Sequence, residues 1–152
     1  MVILKLLGLA PAGGTVANEL PYQRKDYLLT KAERSFFGVL RSAVADQYLV
    51  FAKVRLADLV FIPRGTDKRQ SHFNRIQLKH IDFVLCDHKA VRPLLAIELD
   101  DSSHERADRR ERDGFVDSAL AAAGLPILHM PARSGYNVQD VANAIRQRVE
   151  RR

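Results

Sequence analysis

Leu94-Leu95-Ala96-Ile97-Glu98-Leu99-Asp100-Asp101-Ser102-Ser103-His104 is the stretch whose reading decides the fold. Five of its first six residues are apolar, the pattern of a strand covered on both faces. Glu98 interrupts that run, and Asp100, Asp101 and His104 follow at once. An ionised carboxylate in a sheet interior is costly unless a cation or a set of donors meets it. A metal site is the natural compensation, and hard oxygen ligands completed by water suit Mg²⁺ or Mn²⁺ better than Zn²⁺. The stretch therefore points to a metal-dependent phosphodiesterase centre.

Working backwards, Lys79-His80-Ile81-Asp82-Phe83-Val84-Leu85-Cys86 alternates as a strand, joined to the first by the turn Asp87-His88-Lys89. Alternation predicts Ile81, Phe83 and Leu85 on one face and Asp82, Val84 and Cys86 on the other. On the following strand Ala96, Glu98 and Asp100 share a face. So short a connection makes the pair antiparallel, which would set Asp82 beside Glu98, a repulsion that a divalent ion reverses.

Further upstream, Tyr48 to Val54 is aromatic and β-branched and reads as an outer strand. The segment 55–62 fits a short helix as well as an extended chain, 63–71 has a loop composition, and 72–78 suits one or two helical turns. Thr30-Lys31-Ala32-Glu33 matches a capping box. The helix it opens carries Phe36, Phe37, Leu40, Ala43 and Val44 as a core stripe and ends near Asp46. Glu33 lies on that apolar side, so it either caps the helix or reaches the metal and its water. Residues 1–19 read as a flexible arm, its apolar start being too short to span a bilayer, and 20–152 as one domain.

Downstream, Ser102 or Ser103 caps a helix whose first half is densely charged (Glu105 to Asp113) and whose second half packs on the sheet. It stops at Gly124 and Pro126. Leu125 to Met130 is a strand reached by a crossover helix and so parallel to its predecessor. Val138, Val141, Ala142, Ile145 and Val149 mark a last amphipathic helix.

Composition adds the partner. Hydrophobic residues at 47% and charged ones at 28% describe a globular protein rather than a disordered one. The one cysteine, Cys86, excludes an internal disulfide and a cysteine-rich zinc site, and a reducing cytoplasm is the simplest compartment. Net charge is +6, and between Lys53 and Lys79 seven basic residues face two acids. Arg64, Lys68, Arg69, Arg75 and Lys79 suit contacts to a phosphate backbone, although a merely solvated surface would show the same balance.

The order helix, hairpin, helix, strand, helix, with Glu33, Asp82, Glu98, Asp100 and His104, resembles the PD-(D/E)XK nuclease superfamily. Tyr27-Leu28-Leu29-Thr30-Lys31-Ala32-Glu33-Arg34-Ser35-Phe36, Lys79-His80-Ile81-Asp82-Phe83-Val84-Leu85 and the phrase from Ile97 to His104 look like the bacterial domain of unknown function 2726. Asp-Phe on one strand, then Glu-Leu-Asp and a downstream His, are similar to the very-short-patch-repair endonuclease branch. The resemblance implies an α/β fold: a PD-(D/E)XK nuclease-like core with a central four-stranded mixed sheet flanked by helices. It implies Mg²⁺ or Mn²⁺ held by Asp82 and Glu98, Glu33 as the helix carboxylate, and His104 near the water or scissile phosphate. The expected activity is endonuclease-type hydrolysis of nucleic acid, first of all DNA.

One departure matters: the superfamily has Lys two residues after the second-strand acid, where this chain has Asp100. His104 could stand in, with Lys79 a weaker candidate. The alternatives are a catalytically inactive nucleic-acid-binding module of the same fold and, below that, a protein-interaction domain with structural carboxylates.

Overall fold

The computed structural model describes residues 20–100 and 107–150. The arm expected over 1–19, the caps expected at Ser102 or Ser103, and His104 lie outside them.

Helix α1 (Lys31–Val44) starts as its capping box dictates: the Glu33 backbone N–H donates to Thr30 Oγ1 and the Thr30 N–H to Glu33 Oε2. It ends at Ala45, whose N–H bonds the Arg41 carbonyl. Strand β1 (Leu49–Arg55) follows, then the one-turn helix α2 (Leu56–Leu59), a loop with turns at 64–65 and 67–68, and α3 (Arg69–Ile76). The segment 55–62 thus holds one helical turn, Leu56–Leu59, followed by chain outside helix and strand, and α3 begins three residues before the expected His72.

Strands β2 (His80–Cys86) and β3 (Pro93–Asp100) form the hairpin. The Asp87 carboxylate accepts from the N–H groups of Lys89, Ala90 and Arg92, a local cage that builds the turn. Those backbone donors, Ala90's first, hold the Asp87 carboxyl below the usual range. Helix α4 (Ala107–Ala122) crosses to β4 (Ile127–Pro131), and α5 (Val138–Val149) closes the chain. Gly124 stops α4 with φ +70, and the Leu125 N–H reaches back to the Leu120 carbonyl, a left-handed cap that glycine permits. At α5 the Asn137 side chain accepts from the N–H groups of Gln139 and Asp140.

The sheet runs β1-β2-β3-β4, with β1 at one edge, antiparallel pairing through β3, and β4 parallel to β3. Mixed α/β architecture around a four-stranded mixed sheet is therefore established. Helices cover both faces. Phe83, Leu85, Leu95 and Ile97 pack with Phe36 and Leu40 of α1 and Val141 and Ile145 of α5. Val84, Cys86, Ala96 and Ile127 pack with Leu56, Ile76, Val116 and Leu120 from α2, α3 and α4. Phe36 and Phe83 are fully buried with rings 5.6 Å apart, and each such side chain contributes about 1.5–3 kcal/mol by burial.

Two face assignments, those of Ile81 and Asp82, are corrected. Ile81 joins the Val84 cluster instead of sharing a face with Phe83 and Leu85, so alternation breaks between Ile81 and Phe83. The same switch occurs across from it, where Ala52 packs with the α1 side and Val54 with the α4 side. Lys53 lies between them with φ 56, a left-handed residue that turns the strand over in mid-course. Two face changes side by side leave Lys53 and Asp82 facing α1, so Asp82 does not share the face of Val84 and Cys86 as alternation predicts.

Candidate functional site

Antiparallel and parallel pairing together bring four strand segments to one end of the sheet: the end of β1, the start of β2, and the ends of β3 and β4. The polar side chains that interrupt the apolar runs sit there. They fall into two groups.

The first group is centred on Lys53. Its Nζ donates to Asp82 Oδ1 at 3.1 Å and also to Glu33 Oε1, joining β1, β2 and α1 through one ammonium. Asp82 Oδ2 accepts from the Leu99 N–H at 3.0 Å, so the carboxylate lies in the β2–β3 seam just beyond the last paired residues, Phe83 and Ile97. Glu33 is buried yet fully engaged: Oε2 caps the helix and Oε1 meets Lys53. The capping reading of Glu33 is thus met by Oε2, while Oε1 is turned to Lys53. Burial pushes the Glu33 carboxyl up, but the bonds from Lys53 and Thr30 outweigh it and leave it below 4.5. Burial likewise pulls Lys53 down, and its two carboxylate partners more than reverse that. The ammonium is thus firmly charged while its side chain remains 32% exposed to solvent.

The second group is centred on His129 of β4. Its Nδ1 lies 3.1 Å from Asp100 Oδ1 at the end of β3, and its Nε2 lies 3.0 Å from Asp117 Oδ1 on α4. A neutral imidazole has only one N–H, so two carboxylates at its two nitrogens call for the doubly protonated ring. Burial lowers the His129 pKa and the bonds to Asp100 and Asp117 raise it further than burial lowers it, for a net rise above 6.5.

Glu98 pairs with His129 across the parallel ladder and follows Ala96 on the α4 side of β3. The expected acids are therefore gathered at one end of the sheet, but as two clusters: Glu33 and Asp82 meet through Lys53, and Asp100 meets His129, with Glu98 on the strand between. Among the described residues no group of three or more His, Cys, Asp and Glu is placed to hold a metal ion. Mg²⁺ asks less of a protein, often one or two carboxylates with water in the remaining positions. Each Asp82 oxygen accepts one donor from the chain and keeps a second lone pair, so the donor chemistry suits a hard cation.

The basic residues divide as well. Arg75 and Lys79 lie over the Phe115 ring, at 4.1 and 5.5 Å from its centroid, so both are committed to packing against α4. Lys79 is accordingly directed toward α4. Arg69 donates to the Ile62 carbonyl at 3.3 Å, while Arg64 and Lys68 are exposed and, among the described residues, have no carboxylate partner. Sequence reasoning counted Lys53 only as a basic residue and passed over His129 and Asp117. A lysine in mid-strand, directly across from an acid on the next strand, was the available signal for the first.

Among the described residues no helix is long and apolar enough to cross a membrane. No curated protein and no solved structure matches the chain. A family described as a protein of unknown function, DUF2726, matches residues 25–149, which span every helix and strand described above. The chain belongs to the DUF2726 family.

Proposed function

We propose that this chain is a metal-dependent nuclease that hydrolyses nucleic-acid phosphodiesters, with DNA the first substrate to test. The observation that carries the reading is the convergence of Glu33, Lys53, Asp82, Glu98 and Asp100, from four elements, on one end of the sheet. The resemblance to PD-(D/E)XK nucleases and the net charge of +6 support the same reading.

On the resemblance, Asp82 and Glu98 would hold Mg²⁺ or Mn²⁺ at the sheet's end, although Asp82 is turned toward α1 and Glu98 follows the α4 side of β3; when bound, the ion supplies an acidified water and charge neutralisation at the phosphate. The chain's own residues do the rest. Lys53 offsets the charge of Glu33 and Asp82 and, being partly exposed, presents a cation to the phosphoryl oxygens in place of the lysine missing at position 100. Glu33 fixes that ammonium from the helix side. Asp100, held by His129, orients water, and His104 assists proton transfer.

A second reading is a non-catalytic nucleic-acid-binding module, and one observation favours it: Lys53 already neutralises two of the carboxylates. A plasmid-nicking assay with Mn²⁺ against EDTA separates the two. Nicking that needs the ion and is lost in both Asp82→Ala and Glu98→Ala establishes the enzyme. Equal nicking by the doubly substituted protein reports a contaminant and refutes it. Absent nicking with salt-sensitive binding that survives both substitutions establishes the module.

A further inference from the structure

The chain leaves the sheet after Arg55 and returns at His80, residues that face each other in the ladder, with the Leu56 N–H on the Lys79 carbonyl closing the neck at 2.8 Å. This excursion therefore springs from the same end of the sheet as the Lys53–Asp82 pair. Leu56 and Ile76 anchor it in the core. Between them Phe61 stands 85% exposed, a large apolar ring turned to water at a cost burial would remove.

Its surroundings specify what could cover it. Arg64 and Lys68 are exposed, and Asp67 is the one acid between Phe61 and Arg75. The backbone is pinned on both sides: Arg69 Nε bonds the Ile62 carbonyl, and the Thr66 hydroxyl and N–H both donate to the Pro63 carbonyl. An exposed aromatic ring on a braced loop among cations matches a polyanion that also offers flat apolar faces. Unpaired nucleic acid has that chemistry, because its bases are free to stack, whereas a duplex keeps its base faces covered.

We infer that this excursion grips an unpaired stretch of nucleic acid, with Phe61 as the platform on which a base stacks and Arg64 and Lys68 as its phosphate contacts. The inference rests on the nucleic-acid reading above and narrows its substrate to single-stranded or locally unpaired segments. Leu78, 83% exposed in the same excursion, is a second apolar side chain, and with the cations beside it the patch would also suit an acidic protein.

The test is fluorescence anisotropy of the full chain in EDTA with a labelled single-stranded oligonucleotide of mixed sequence, its duplex, and polyglutamate. The single strand is expected to bind tighter than the duplex, and Phe61→Ala to weaken single-strand binding about tenfold while leaving duplex binding unchanged. Phe61→Trp should retain single-strand binding, since the larger ring stacks as well. Because Phe61 is exposed, melting of both variants should match the parent, which separates lost stacking from lost fold. If Phe61→Ala weakens neither form, or both equally, the stacking platform is refuted while nucleic-acid binding stands. Polyglutamate bound as tightly as the single strand would assign the patch to acidic proteins and overturn the inference. Failure of the parent to bind either nucleic-acid form would refute the nucleic-acid reading itself.

Discussion

Lys53 and Asp82 lie across from each other between β1 and β2, flanked by the pairs Ala52 with Phe83 and Val54 with Ile81, and their side chains meet at 3.1 Å. The same ammonium holds Glu33. Removing it leaves two partly buried carboxylates without their cation. Lys53→Met should lower the unfolding free energy by about 1–3 kcal/mol, less than for a fully buried pair because water still reaches the site. Urea denaturation reads this directly; an unchanged midpoint would mean that the ion pair is energetically idle.

Glu33 sets an acid limit on stability. Its folded pKa lies below its ordinary value of 4.5, so its contribution is complete above pH 4.5 and fades as pH falls through the folded value. The parent should therefore lose stability below pH 4.5 more steeply than Glu33→Gln, which has no proton to take up there. Parallel curves for the two proteins would contradict the lowered pKa.

His129 sets the opposite limit. Its folded pKa is raised above 6.5, so its contribution is complete below pH 6.5 and is lost as pH rises through the folded value. Thermal melts across the neutral to alkaline range should show a decline in the parent that is flatter in His129→Gln and in Asp117→Asn. A decline unaltered by either substitution would assign it to another group.

Thr30→Ala removes one half of the capping box and should cost about 1 kcal/mol. Because Glu33 is both cap partner and Lys53 partner, the substitution should also weaken whatever activity the plasmid assay records, while a surface change such as Ser42→Ala should do neither.

Divalent ions should raise the melting temperature of the parent, since anything that binds the folded state alone stabilises it by mass action. The rise with Mn²⁺ or Mg²⁺ over EDTA should vanish in Asp82→Asn and in Glu98→Gln. A rise preserved in both would place the ion elsewhere.

Much of this architecture could be read from local pattern. The Thr30–Glu33 box, the alternation of β3, and the Gly124 stop depend on neighbours close in sequence, and each forms as expected. Long-range relations were less legible. His129 lies in a short apolar strand whose partners, Asp100 and Asp117, are 29 and 12 residues away, and nothing in its immediate surroundings names them. The face of Ile81 does not follow period-two alternation, and the left-handed residue beside the break is a lysine on the facing strand, where only glycine or asparagine would have advertised a turn.

That choice of side chain has a measurable consequence for engineering. At position 53 the chain accepts about 1–2 kcal/mol of unfavourable backbone in return for an ammonium, since L-residues avoid φ 56 and glycine does not. Glycine should therefore outperform alanine there in resistance to heat, reversing their usual ranking inside regular secondary structure, though both delete the same charge. Position 53 is where the backbone preference and the ion pair pull apart.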